Sequence, residues 1–152
     1  MREILFRGKR LDNGDWVYGY YVHIGPVSCQ RAYIIPEYAS SLYVNEVDPS
    51  TVGQYTGLKD KNGKRIFEGD IVNLWWEPRT DNQADEFKKY KAVIEFGNPN
   101  FLYSWGWQLK MIDNMPFNND ILLWVDMEEA GAYIEVIGNI HDNKLEDFDN
   151  GR

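Results

Sequence analysis

Apolar and polar residues alternate with a period of two along two long stretches of the chain. The first stretch runs from Trp16 to Ile24 and the second from Phe101 to Met111. Side chains of a β-strand point alternately to its two faces, whereas a helix would scatter these positions around its circumference. The alternation therefore predicts two strands, each with one apolar face that helps to build the interior. The apolar stripes are Trp16, Tyr18, Tyr20, Val22 and Ile24, and Phe101, Tyr103, Trp105, Trp107, Leu109 and Met111.

Shorter alternating runs, and the turn signals between them, extend this pattern over the chain. The runs cover residues 72–76, 92–96 and 134–140. Asn-Gly dipeptides, which favour the tight turns of β-hairpins, stand at residues 13–14 and 62–63. The sequence therefore predicts a mainly β protein whose antiparallel strands form a barrel or a sandwich.

Helical signals are few. Thr80 opens a spacing typical of a helix N-terminus, Asn143 opens another, and residues 120–130 fit a helix or a strand equally well. We therefore expect one to three short helices. Because no linker or low-complexity stretch interrupts the chain, the sequence predicts a single domain over residues 1–152.

The aromatic content is high, with six Trp, ten Tyr and seven Phe in 152 residues. Aromatic side chains favour strands and are by default part of the core. A domain of this size has limited room to bury so many rings, so some are expected at the surface, where aromatic patches mark interfaces. Tyr21 and Trp75 lie opposite the apolar stripes of their own strands and are the candidates for such an interaction surface.

The net charge of −8 comes entirely from the last quarter of the chain. Residues 1–112 contain 14 acidic and 14 basic side chains, whereas residues 113–152 contain ten acidic and two basic ones. This balance disfavours a general nucleic-acid binder, whose affinity comes from neutralising phosphates. Three local basic clusters remain: Arg7, Lys9 and Arg10; Lys59, Lys61, Lys64 and Arg65; and Lys88, Lys89 and Lys91. We include the second in the candidate interaction surface, although such clusters are also typical of solvated turns and strand edges.

Candidate catalytic groups are scarce. Cys29 is the sole cysteine, and the two histidines are His23 and His141, so neither a disulfide nor a zinc cluster is expected. A hairpin that brings Cys29 next to His23 is the one nucleophile–base pair the sequence suggests. Nucleotide-binding glycine motifs are missing too. We predict that the protein is not an enzyme and has no cofactor and no catalytic or metal-binding residues.

The sequence contains no apolar run of the roughly 20 residues that a membrane-spanning helix needs. The first residues also lack the apolar segment of a signal peptide. A single cysteine suits a reducing compartment. Together these features predict a cytoplasmic protein that does not bind membranes.

The segment Tyr55–Val72, YTGLKDKNGKRIFEGDIV, resembles the central motif of the YopX family. The resemblance extends to Phe6–Gly8, to Trp16–Gly19 and to Val136–Asn143, so it brackets nearly the whole chain. It implies a mostly β fold, an origin in a bacteriophage or prophage, and a setting in the cytoplasm of the host cell. It implies no catalytic residues.

The motif also has a physical interpretation. Asn62 and Gly63 supply the positive φ of a tight turn. Gly69 before Asp70 indicates a bulge or a close backbone approach where a strand begins. The Asp70 carboxylate is suited to accept backbone N–H groups there. These four residues and Gly57 are predicted to fix the fold.

Three functions remain open. The first is a non-enzymatic phage or prophage accessory protein that acts through protein–protein contacts, with itself as a homo-oligomer and with a host or phage protein. The second is a nucleic-acid-binding β-barrel that uses the basic hairpin from Lys59 to Arg65. The third is an enzyme of unknown class.

Overall fold

A computed structural model describes residues 3–26, 28–38, 43–76, 89–97, 106–112, 120–126 and 131–148. In this part of the chain, ten strands form two antiparallel sheets, with one short α-helix and two 3-10 turns. The chain divides into two compact units, residues 1–57 and 58–152. The prediction of a single domain over residues 1–152 stays a prediction.

The strands of the first sheet are β1 (Phe6–Lys9), β2 (Trp16–Ile24), β3 (Arg31–Pro36), β4 (Asn45–Val47), β5 (Gly53–Lys59) and β6 (Arg65–Phe67). Their order in the sheet is β4-β3-β2-β1-β5-β6. An isolated bridge between Arg10 and Val47 also joins β4 to the residue after β1. A 3-10 turn, Pro49–Thr51, precedes β5, and the Asp48 side chain caps it by accepting from the Ser50 N–H.

The core of the first unit is small, and it determines which face of β2 points inward. Its fully buried side chains are Val17, Ala32, Ile34 and Val47. The predicted interior stripe of β2 was wrong, because the opposite face packs on this core. On the inward face, Gly19 lies so close to β3 that an added Cβ would stand 1.9 Å from the Ile35 carbonyl oxygen. No side chain fits at this position, so it suits glycine alone, and the neighbouring Tyr18 and Tyr20 point outward.

The second sheet lies within the second unit, and its strands are β7 (Asp70–Trp76), β8 (Tyr90–Gly97), β9 (Gly106–Met111) and β10 (Ala132–Asn139). Their order in the sheet is β10-β7-β8-β9. Helix α1 (Ile121–Asp126) packs its buried side chains against one face of this sheet. The resulting core consists of Ile66, Val72, Leu74, Ala92, Ile94, Leu109, Ile121, Trp124, Ala132 and Ile134.

The mainly β prediction is confirmed, with antiparallel pairing throughout the described strands. Of the two predicted architectures, the barrel does not form, because neither sheet closes on itself through the strands that the structure describes. The ambiguous segment 120–130 is helical at Ile121–Asp126, and a 3-10 turn forms at Leu145–Phe148. The helix predicted after Thr80 and the first half of the stripe 101–111 lie outside the described residues.

Helix length also bears on membrane insertion. No helix in the described ranges has the length and apolar character needed to cross a membrane.

Candidate functional site

The basic hairpin between β5 and β6 is organised by the carboxylate of Asp60, which is 7% exposed. Its Oδ1 accepts hydrogen bonds from the backbone N–H groups of Asn62 and Lys64, both at 2.9 Å. Its Oδ2 accepts from the N–H of Val136 in β10 at 3.0 Å. Hydrogen bonds from three backbone donors satisfy the ionised carboxylate, which makes its burial favourable. Asp60 therefore closes the turn and ties it to β10.

The same hairpin covers the outer edge of β10. The Lys61 N–H donates to the Ile134 carbonyl at 3.0 Å, two residues before the Val136 N–H that Asp60 accepts. Gly63 takes a φ of +78°, which the turn requires. Because β7 occupies the other edge of β10, the hairpin satisfies groups that would otherwise face water or another chain.

The hairpin also places one cation beside a second that is distant in sequence. The Lys61 ammonium lies 4.8 Å from the centroid of the Trp75 ring, and the Lys89 ammonium lies 4.5 Å from the same centroid. Tyr133 packs against Trp75 with a centroid separation of 5.6 Å. Trp75 is only 5% exposed. The sequence-based candidate Trp75 is thus a covered ring that supports two lysines.

A small cleft opens beside Lys59 and Lys61. It is lined by Lys59, Lys61, Tyr133 and Trp124, among others, and its volume of about 10 Å³ holds about one water molecule. A drug-sized ligand needs several hundred cubic ångströms. The cleft therefore suits surface contact rather than enclosure of a small substrate. The remaining hairpin candidates lie next to it along the chain, with Lys64 exposed and Arg65 half-buried.

The second half of the motif forms a tight junction with the end of β10. The Asp70 carboxylate is 1% exposed and accepts the Phe67 N–H at 2.8 Å. Gly69 has a φ of +88°, and an added Cβ would lie 3.4 Å from the His141 Nε2. Gly57 also has positive φ, +85°, within β5. Gly57 and Gly69 thus lie where the backbone takes a positive φ. The Asp70 carboxylate accepts a hydrogen bond from the backbone inside the turn.

The turn after β10 is held by the side chains of Asn139 and Asn143, of which the sequence pointed only to Asn143, as the start of a short helix. The Asn139 Oδ1 accepts from the N–H groups of His141 and Asp142, both at 3.0 Å. The Asn143 Oδ1 accepts from the Asn139 N–H at 3.2 Å. The signal was present in the motif GNIHDN, because Asn side chains commonly bond the backbone two residues on.

The sequence-based candidate Tyr21 is half-buried and packs against Phe6 at a centroid distance of 5.3 Å. The other face of β2 exposes Tyr18, Tyr20 and Ile24, at 38%, 56% and 56%. We call these three residues the outer face of β2. The half-buried Tyr33 and Ile35 of the paired strand β3 continue it, since Tyr33 pairs with Val22 and Ile35 with Tyr20. Tyr21 is therefore partly covered, whereas the outer face of β2 is exposed.

The candidate chemical groups do not form a reactive arrangement in the described ranges. Cys29 and His23 are both exposed, and no hydrogen bond joins them. The His23 ring stacks on Tyr21 with a centroid distance of 6.5 Å. Among the described residues, no three His, Cys, Asp or Glu side chains come together as a possible metal site.

Comparison with known proteins gives one strong match. The family model described as YopX protein matches residues 5–146. No curated protein matches the chain. Among solved structures, the chain is similar to the crystal structure of protein EF1440 from Enterococcus faecalis, with 20% sequence identity and a TM-score of 0.42. That match covers 94% of this chain and 96% of the other, and at this TM-score it carries no argument.

Proposed function

This chain belongs to the YopX family, and we propose that it is a non-enzymatic accessory protein of a phage or prophage that acts through protein–protein contacts. Its first partner is another copy of itself, and its place of action is the cytoplasm of the host cell. The observation that carries the proposal is the outer face of β2, where Tyr18, Tyr20 and Ile24 are exposed.

The outer face of β2 has the chemistry of a contact surface. Tyrosine offers a large, rigid and partly apolar area, and it is enriched where proteins meet. Because Tyr18, Tyr20 and Ile24 stand two or four residues apart on one strand, their side chains form a continuous row. Contiguous exposed apolar surface of this kind is uncommon on proteins that make no contacts. Its burial on a partner removes apolar area from water.

The charge around this row is compatible with self-contact. Arg31 of β3 and Glu46 of β4 approach to 3.9 Å, so one cation and one anion stand on the neighbouring strands. A two-fold contact would place Arg31 of each copy opposite Glu46 of the other copy. Surface pairs of this type contribute little energy and mainly set the orientation. The apolar row therefore supplies the affinity in the proposed contact.

The self-contact can be tested by sedimentation with the double variant Tyr20→Ser, Ile24→Ser. Removing two exposed apolar side chains costs on the order of 1 kcal/mol each, so self-association should weaken roughly 10- to 100-fold. The control is Tyr38→Ser, which removes a tyrosine that is 82% exposed in the turn after β3. The control should associate like the original protein.

Two results would contradict the proposal. One is an original protein that remains monomeric across the accessible concentrations and captures no partner from a host lysate. The other is equal weakening by the control, which would show that loss of any exposed tyrosine has the same effect. Circular dichroism of each variant checks that the sheet is intact.

A further inference from the structure

Two opposite charges lie side by side at one end of the outer face of β2. Arg31 of β3 pairs in register with Ile24 of β2. Glu46 of β4 pairs with Tyr33 of β3, which in turn pairs with Val22. Side chains of directly paired residues in antiparallel strands share one face of the sheet, so both charges border the exposed apolar row. A partner that covers this row therefore also meets Arg31 and Glu46.

The two charges hold each other only loosely. The Arg31 Nε lies 3.9 Å from the Glu46 Oε1, beyond the roughly 2.7–3.2 Å of a hydrogen bond. A hydrogen bond with the Tyr33 side chain raises the pKa of Arg31 above its ordinary value. Because a guanidinium has five N–H donors in a planar fork, these contacts leave donors for a further carboxylate. In the part of the chain that the structure describes, no hydrogen bond reaches the Glu46 carboxylate, and the two side chains are 66% and 40% exposed.

The backbone fixes the spacing of the two charges. Strand β4 pairs with β3 along one edge. Along its other edge, the Glu46 carbonyl accepts the Leu11 N–H at 3.1 Å, and the Asp48 N–H donates to the Lys9 carbonyl at 2.8 Å. Since main-chain hydrogen bonds hold β4 on both sides, the two side chains start from fixed positions. Such preorganised groups lose less freedom when they bind a partner.

An adjacent pair of opposite charges is complementary to itself. A contact between two identical copies uses the same patch on both, so that patch must match its own rotated image. A lone charge at the centre of such a contact would meet the like charge of the other copy. A two-fold axis that passes between Arg31 and Glu46 instead sets each Arg31 against Glu46 of the other copy, which forms two ion pairs.

Resting on the self-contact proposed above, we propose that Arg31 and Glu46 select a second copy of this chain as the partner of the outer face of β2. Each Arg31 guanidinium binds the Glu46 carboxylate of the other copy across the two-fold axis. Exposed ion pairs add little affinity, which comes from the apolar row. Their main effect is on the choice of partner, because a surface that brings like charges to these positions is repelled.

The test uses two charge-reversed variants, Arg31→Glu and Glu46→Arg, in sedimentation equilibrium. Each variant alone carries one sign of charge at both positions, so two copies of it place like charges against each other twice. Its self-association should weaken about 10- to 100-fold. Mixed in equal amounts, the two variants restore both opposite-charge pairs, so the mixture should associate within about fivefold of the original protein. A variant that had merely misfolded would not regain association in this mixture.

The matched control reverses a second exposed pair, with Lys110→Glu and Glu95→Lys. Lys110 and Glu95 approach to 3.5 Å and are 56% and 38% exposed, so they resemble the first pair, and the net charge changes by the same amounts. Each control variant should associate like the original protein, alone and in the mixture. Control variants weakened as much as the Arg31 and Glu46 variants would overturn the proposal, because the effect would then be one of overall charge.

The remaining outcomes separate this proposal from the self-contact itself. If Tyr20→Ser, Ile24→Ser weakens association but both charge-reversed variants associate like the original protein, the self-contact stands and the selection by Arg31 and Glu46 is wrong. The selection is also wrong if the mixture stays as weak as each variant alone. An original protein that remains monomeric overturns the self-contact, and this proposal with it.

Discussion

Strands β2 and β7 carry similar alternating patterns, yet their apolar stripes point in opposite directions relative to their cores. On β7, Val72 and Leu74 are fully buried in the larger core of the second unit, as alternation predicts. On β2, Tyr18 and Tyr20 point outward, and Val17 faces the small core of the first unit. The difference teaches that periodicity identifies a strand and its two faces, whereas contacts with residues distant in the sequence decide which face turns inward.

The largest expected effect separates the two stripes directly. Leu74→Ala should lower the free energy of unfolding by about 2–5 kcal/mol, because it leaves a cavity in a fully buried site. The equivalent change on β2, Tyr20→Ala, should change it by about 0.5 kcal/mol or less, because the ring is exposed. Urea denaturation of both variants measures the difference. Equal losses of unfolding free energy in the two variants would mean that both stripes pack against a core.

The next effect concerns the hairpin that covers β10. Asp60→Ala should cost about 3 kcal/mol, since it leaves three backbone N–H groups without their acceptor. Asp12→Ala is the control, because Asp12 is an exposed acid whose partner is the Arg10 side chain. Thermal unfolding followed by circular dichroism measures both. An Asp60 variant as stable as the control would contradict the role given to this carboxylate.

A smaller effect tests why β2 faces as it does. Gly19→Ala should destabilise the protein by about 1–3 kcal/mol, because its Cβ would meet the Ile35 carbonyl oxygen. In Gly14→Ala the new Cβ meets open space, and only the positive φ of +73° opposes it. Chemical denaturation compares the two. A smaller loss at Gly19 than at Gly14 would remove the packing argument for the inward face.

The smallest effect belongs to the exposed pair at the β1–β2 turn. The hydrogen bond from Arg10, at 2.6 Å, lowers the pKa of Asp12 below its ordinary value of 3.8. A lowered folded-state pKa means that the stabilisation is complete above 3.8 and is lost as the pH falls through the lower value. Asp12→Asn should therefore lower the unfolding midpoint slightly at neutral pH and leave it unchanged well below pH 3.8, so that the midpoint depends less on pH than in the original protein. Unfolding scans from acid to neutral pH check this, and a large loss at neutral pH would contradict it.

Local signals in the sequence were sufficient for strands β2, β7, β8, β9 and β10 and for the Asn-Gly turns. Alternation located β2 and β7, and Asn62-Gly63 located the hairpin turn, because each depends on neighbouring residues alone. Two features depended on contacts between distant residues and were out of reach. One is the choice of inward face on β2, which depends on Gly19 meeting Ile35. The other is the meeting of Lys61 and Lys89, which depends on how β7 and β8 pair.

The same limit explains the candidate aromatics. Tyr21 and Trp75 were chosen because they lie opposite apolar stripes, and that choice assumed that each stripe is the buried face. On β2 the assumption was wrong, so Tyr21 is half-buried against Phe6. On β7 both faces are covered, so Trp75 is buried beneath two lysines. Their use as an interaction surface stays a prediction.

The orientation of β2 is tested most directly by the reactivity of single cysteines, in a background where the exposed Cys29 is replaced by serine. Tyr20→Cys and Tyr21→Cys would be labelled with a thiol reagent at low protein concentration. The structure predicts fast labelling at position 20 and slow labelling at position 21, because only the first side chain points to solvent. Faster labelling at position 21 than at position 20 would contradict the orientation and remove the surface on which the proposed self-contact depends.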